Sequence, residues 1–192
     1  MSEKPIIGVL SLQGAVELHK PHIEAAGAEY RAVKTPAQFD AVDGFILPGG
    51  ESTTMLKLIE VFGLWDSLAK NLSTKPVWGI CAGAILLAEK VTSPAQKSFG
   101  LLPLTVERNG YGSQIDSHIE EIEGYEVSFI RAPVFKDVGK GTEILAEHRG
   151  LPVWIKKGKI MASSFHPELT LDFPSPMHRM FVESVKAIKK AA

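Results

Sequence analysis

The stretch Val77-Trp78-Gly79-Ile80-Cys81-Ala82-Gly83-Ala84 leaves the backbone few options. Val77 to Ile80 is an apolar run of buried-strand type, and Ala84 to Lys90 reads as a helix. The chain's single cysteine sits between them, with glycine two positions before and two positions after. This is the spacing of the G-x-S-x-G elbow, with sulfur in place of oxygen. A strand that turns directly into a helix strains its central residue, and side chains two positions either side would collide. Small Ala82 and Ala84 leave the helix start open. A thiol there faces unpaired N–H groups and the positive end of the helix dipole, which favour the thiolate. A core cysteine beside two glycines fits the same letters, so other residues must decide.

The remaining chain repeats the strand-then-helix rhythm. Pro5 to Leu10 is a continuous apolar run, as in a strand buried on both faces of a parallel sheet. Ala15 to Ala26 has helical spacing that stops at Gly27, and Pro21 implies a kink or two shorter helices. Ala28 to Val33 and Gly44 to Leu47 are further strands. Thr53 to Phe62 is helical, with Met55, Leu56, Leu58, Ile59 and Phe62 on one side, and Leu64 to Leu72 is a second helix. After Lys90 the texture changes to short strand candidates at 104–107, 125–130, 143–147, 153–156 and 160–164, with Gly158 marking a hairpin. Met177 to Ile188 closes the chain as an amphipathic helix. The pattern predicts an α/β fold: an open, mostly parallel sheet flanked by helices, flavodoxin-like, with an antiparallel or mixed extension in the second half. At 192 residues and without a linker, residues 1–192 are expected to form one domain.

Composition removes several function classes. A net charge of −1 gives no electrostatic case for nucleic acid or an anionic membrane. One cysteine excludes an internal disulfide and a cysteine-rich zinc site. A free thiol fits a reducing compartment, the apolar run at the start is too brief for a signal peptide, and no stretch approaches spanning length, so a cytoplasmic protein is expected.

A thiol nucleophile needs a base in reach and a group that orients the base. Of six histidines, His19 and His22 lie on a charged helical surface, His118 in a polar stretch, His148 beside Glu147 and Arg149, and His178 in the last helix. All five read as structural or solvated. His166 differs, because Ser164-Phe165-His166-Pro167-Glu168 follows a strand. In an extended segment residues two apart share a face, so Glu168 lies beside His166 and Pro167 stiffens the pair. A carboxylate there fixes the imidazole tautomer and stabilises the imidazolium. His-x-Glu also opens the zinc deaminase signature, but that needs a downstream P-C-x-x-C and no cysteine follows position 81, so the metal reading fails and no metal is expected.

Leu47-Pro48-Gly49-Gly50-Glu51-Ser52 is not a phosphate loop, since G-x-x-x-x-G-K-[ST] is absent. Two glycines after a parallel strand leave N–H groups at the edge where open α/β sheets place their sites. The N–H groups of Gly50 and Ala82 would form an oxyanion hole over Cys81.

With these parts together, Pro48-Gly49-Gly50-Glu51-Ser52-Thr53-Thr54, Gly79-Ile80-Cys81-Ala82-Gly83 and Ser164-Phe165-His166-Pro167-Glu168-Leu169 resemble the class I, triad glutamine amidotransferases. Ile7 to Ala15, Val106 to Asn109 and Phe129 to Pro133 narrow the resemblance to the glutaminase subunits of two-subunit pyridoxal 5′-phosphate synthases. It implies that Cys81 attacks the amide of L-glutamine, His166 shuttles the proton and Glu168 orients His166. It also implies that the backbone at Gly50, Glu51 and Ser52, the guanidinium of Arg108 and the pair Ile130-Arg131 hold the substrate. By the same resemblance, the glutaminase carries no cofactor and passes ammonia to a (β/α)₈ synthase subunit within a large hetero-oligomer, and a peptide flip near Gly49-Gly50 is expected when that subunit docks. Ser113 departs from the family, which more often has arginine there; the triad is unaffected. A cysteine peptidase of related fold would draw its histidine from the position after the cysteine, where this chain has Ala82. A non-catalytic binding subunit has no use for a complete triad. A glutaminase serving another synthase is disfavoured by Gln13-Gly14 and Arg131-Ala132-Pro133.

Overall fold

The structure is a computed structural model that describes residues 3–108 and 117–191; Ser113 and its neighbours lie outside the described residues. Twelve strands are described: β1 (Ile6–Leu10), β2 (Glu29–Val33), β3 (Gly44–Leu47), β4 (Val77–Ile80), β5 (Ala88–Thr92), β6 (Leu102–Glu107), β7 (His118–Ile122), β8 (Tyr125–Phe129), β9 (Val134–Lys136), β10 (Glu143–His148), β11 (Leu151–Lys157) and β12 (Ile160–Ser163). The α-helices are α1 (Lys20–Ala25), α2 (Pro36–Asp40), α3 (Ser52–Val61), α4 (Trp65–Thr74), α5 (Ala82–Leu87) and α6 (Pro176–Ala191).

Seven strands form one sheet in the order β10-β11-β12-β4-β3-β1-β2. The five from β12 to β2 run parallel, while β11 and β10 are antiparallel additions at one edge. Read along the parallel part, the order is the flavodoxin-like one, with its topological switch beside β1. The smaller sheets, β5-β6-β9 and β7-β8, are the mixed extension expected of the second half.

Continuous apolar strands are explained by burial on both faces. Along β3, Phe45 and Leu47 enter one core and Ile46 the other; along β4, Val77 and Trp78 divide the same way. One core packs against α3, α4 and α5, the other against α1, α6 and the β7-β8 hairpin. Gly44 permits the close approach of α6, since a Cβ there would lie 2.7 Å from Val185 Cγ2.

Local details depart from the sequence reading. Pro21 divides its span into a 3₁₀ turn at Glu17–His19 and α1. Phe62 is 60 % exposed rather than on the buried side of α3, because the helix ends at Val61. The helix after the elbow starts at Ala82 and ends at Leu87; Ala88 to Lys90 belong to β5, which pairs with β6. Pairing with a strand distant in sequence overrides the helical spacing there. α2, β7 and β9 were not anticipated; α2 carries a capping box between Thr35 and Gln38 with proline in its first turn.

Candidate active site

The elbow forms where β4 leaves the sheet. Cys81 N–H donates to Ser163 O on the neighbouring β12 at 2.8 Å, and Cys81 O accepts from Ile85 N–H at 3.2 Å within α5. Holding both bonds puts Cys81 at φ 48°, ψ −102°, a strained conformation for a residue with a Cβ. Both flanking glycines are required. A Cβ on Gly79 would lie 2.7 Å from the backbone of Gly83, and one on Gly83 would lie 2.0 Å from the Leu47 carbonyl oxygen of β3. Cys81 is 7 % exposed, at the C-terminal edge of the parallel strands.

His166 follows β12 and reaches the same edge. Its backbone exchanges two hydrogen bonds with Ser128 of β8, N–H donating at 2.8 Å and O accepting at 3.3 Å. His166 Nδ1 meets Glu168 Oε1 at 2.7 Å, and Cys81 and His166 line one cavity. The pair is not carried by an extended segment as expected. Pro167 opens a 3₁₀ turn over Pro167–Leu169, and that turn brings Glu168 under the ring. Gly49 lets the imidazole in, since a Cβ there would sit 2.2 Å from its Cε1.

A cavity of about 320 Å³ opens over these groups, within the usual range for small-molecule sites. Gly50, Glu51, Ser52, Cys81, Ala82, Arg108, Ile130, Arg131 and His166 all line it, and Glu168 stands behind His166. Gln13 and Ile85 line it too and were missed as site residues. Gln13 was findable from topology, because it follows β1 at the same sheet edge. Its Oε1 accepts from Glu51 N–H at 2.8 Å and shapes the glycine loop. The Gly49 carbonyl accepts from Ala15 N–H at 3.0 Å, so a flip of the Gly49–Gly50 peptide would break this bond. Glu51 caps α3 through Thr53 N–H and Thr54 N–H, and its carboxylate lies 3.5 Å from Arg108 Nη2. Arg108 also donates to Thr53 Oγ1 at 2.8 Å, which holds the guanidinium at the cavity wall. The Ser52 hydroxyl donates to Gln96 Oε1 at 3.0 Å.

Residues 9–187 match the SNO glutamine amidotransferase family. The chain belongs to that family. It is 44% identical over 191 residues to a protein of Solibacter usitatus named pyridoxal 5′-phosphate synthase subunit PdxT, covering 93% of this chain and 98% of that one. A protein of the same name from Streptomyces coelicolor is 44% identical over 201 residues, covering 100% and 98%. Among solved structures, a glutamine amidotransferase superposes with a TM-score of 0.84 at 41% identity, over 94% of this chain and 98% of its own. A glutamine amidotransferase of Thermotoga maritima at 14% identity, TM-score 0.56, over 100% and 94%, shares the fold.

In this glutamine amidotransferase the electrostatics favour a proton on His166. Burial opposes the charge, but hydrogen bonds to Cys81 and Glu168 outweigh it and push the imidazole up to about 10. Burial likewise opposes ionisation of Glu168, yet the His166 bond and the nearby His19 hold its carboxyl below the ordinary value.

Beneath Glu168 lies a layer that corrects the reading of His19 and His22 as surface residues: both, with His178, are fully buried. His19 Nδ1 meets His178 Nε2 at 2.8 Å, and His178 Nδ1 meets Ser175 Oγ at 2.6 Å. Ser175 N–H donates to His22 Nδ1 at 3.0 Å, which leaves the His22 proton on Nε2. Their partners lie 153 to 159 positions away, so nothing local announces the layer.

Burial lowers His19 to about 4, against the attraction of Glu168, and lowers His178 well below its ordinary value. These groups stay neutral when folded, while the unfolded chain binds protons below pH 6.5. Stability is therefore lost as pH falls from 6.5 toward 4, by about 3 kcal/mol from His19 alone. Glu168, depressed, adds to the same acid loss below its unfolded value. His166, raised, has the opposite sign: its contribution is complete below 6.5 and is lost as pH rises toward 10. Thermal unfolding followed across pH should peak near 6.5, and His19→Gln should flatten the acid limb. An acid limb unchanged in that variant would refute this assignment.

Proposed function

We propose that this amidotransferase hydrolyses L-glutamine to L-glutamate and ammonia and delivers the ammonia to a separate subunit that makes pyridoxal 5′-phosphate. The observation that carries this reading is a thiol and an imidazole at one cavity, the imidazole bonded to a buried carboxylate, in a chain matching proteins named as that synthase's subunit over almost their whole length.

In this scheme Cys81 gives its proton to His166, and the sulfur attacks the side-chain amide carbon. The oxyanion is held by the N–H groups of Ala82 and Gly50; one such donor typically contributes about 3 kcal/mol at the transition state. His166 then protonates the leaving ammonia, and a γ-glutamyl thioester remains. Water attacks the thioester as His166 takes its proton, glutamate departs, and the Cys81 sulfur and protonated His166 stand ready for the next turnover. Glu168 keeps His166 Nε2 aimed at the reacting atoms through its bond to Nδ1. The Arg108 guanidinium suits the substrate α-carboxylate, with Ile130-Arg131 and the backbone of Gly50, Glu51 and Ser52 closing around it. Residues 1–192 act as one glutaminase domain without a cofactor. The partner is a (β/α)₈ synthase in a large cytoplasmic hetero-oligomer, and neither nucleic acid nor membrane takes part. None of the helices described is long and apolar enough to cross a membrane.

The deciding experiment measures glutamate release with and without the purified synthase subunit. Turnover should rise several-fold on mixing. A rate indifferent to the partner would overturn the partner assignment and leave the hydrolysis standing.

A further inference from the structure

Three donor groups converge outside the Cys81 cleft. His118 and Glu120 alternate along β7 and so share a face, and His148 ends β10, the edge strand of the large sheet. His118 Nε2 and His148 Nε2 are 3.3 Å apart, and Glu120 Oε1 lies 4.0 Å from the first and 3.8 Å from the second. A circle through three atoms so spaced has a radius of about 2.2 Å, close to zinc–nitrogen and zinc–oxygen bond lengths. The Phe129 ring stacks on both imidazoles at 5.0 Å between centroids, which fixes the ring planes.

We propose that His118, Glu120 and His148 bind a divalent transition-metal ion of the zinc class. Two imidazoles and a carboxylate are the donor types such ions prefer over magnesium or calcium. A hydrogen bond between the imidazoles accounts for one separation and ion pairing with Glu120 for the other two, whereas one common centre accounts for all three together. The side chains are 23%, 37% and 14% exposed in chain order, so an ion can enter, and three protein ligands leave a position for solvent. The ion would tie a two-stranded sheet, marginal by itself, to the edge of the main sheet. The same hairpin ends in Phe129, leads into Ile130-Arg131 at the cavity, and bonds His166 through Ser128. The clip would therefore brace one wall of the glutamine cleft. No motif announced it, because 28 positions separate Glu120 from His148.

The test uses the full chain carrying Cys81→Ala, so that the active-site thiol cannot take the ion, stripped with a chelator and titrated with Co²⁺ and Zn²⁺. One equivalent should bind, with the visible Co²⁺ absorption of a low-coordinate nitrogen and oxygen site, and Zn²⁺ should raise the unfolding temperature. His148→Phe and Glu120→Gln should each weaken binding at least tenfold. Glu120→Gln preserves shape and answers the question if His148→Phe does not fold. Absence of binding, or affinity unchanged in Glu120→Gln, would overturn the proposal.

Discussion

Replacing Cys81 by alanine is expected to lower glutamine turnover by about 10⁴-fold or more while leaving the fold intact. Removing the nucleophile of a triad typically removes most of the catalysis that the triad supplies, and the residual rate comes from binding and the oxyanion donors. The substitution also relieves no packing constraint, because alanine keeps the Cβ that the elbow already accommodates at φ 48°. Unfolding temperature should therefore stay close to that of the parent chain. The measurement is glutamate release in the presence of the synthase subunit, with the thioester trapped by mass spectrometry in the parent only. Turnover that survives Cys81→Ala would sink the covalent mechanism.

Gly83→Ala should have a large effect on stability. The added Cβ would lie 2.0 Å from the Leu47 carbonyl oxygen, 2.7 Å from its carbon and 2.8 Å from the Leu47 Cβ. These are backbone and near-backbone atoms in a buried strand, which no rotamer change can move aside. Relief requires α5 to lift from β3, and α5 is buried throughout. Overpacking a core usually costs 1–3 kcal/mol and occasionally more. A clash this deep should cost about 4 kcal/mol, which lowers the unfolding temperature by roughly 10 °C in a domain of this size. Gly124→Ala is the control, since its φ of 70° is unfavourable but nothing lies within 4 Å of the new Cβ. There about 1 kcal/mol is expected, from backbone conformation alone. Thermal unfolding of the two variants side by side checks the difference; equal losses would mean that the contact with Leu47 is not what constrains position 83.

The site was more legible than the scaffold around it, and the reason is locality. The glycines two positions either side of Cys81, the two-residue step from His166 to Glu168, and the glycine pair after β3 are short-range patterns. Each states a steric or hydrogen-bonding requirement in a few letters. Even so, the His166–Glu168 contact arises through a 3₁₀ turn and not the extended chain that the spacing alone favours. Helix boundaries were less legible: the residues after Leu87 keep helical spacing, but the β5-β6 pairing claims them.

Apolar runs such as Val9-Leu10, Phe45-Ile46-Leu47 and Val77-Trp78 determined by themselves that this chain makes strands buried on both faces, hence a parallel sheet covered by helices. The elbow spacing likewise determined that Cys81 sits where a strand turns into a helix. Only the tertiary structure decided that Gln13 enters the cavity, that His19, His22 and His178 form a neutral layer under Glu168, and that His118, Glu120 and His148 converge. Those outcomes depend on which elements the folded core brings together across 28 to 159 positions, and a charged or polar neighbourhood in sequence carries no record of such contacts.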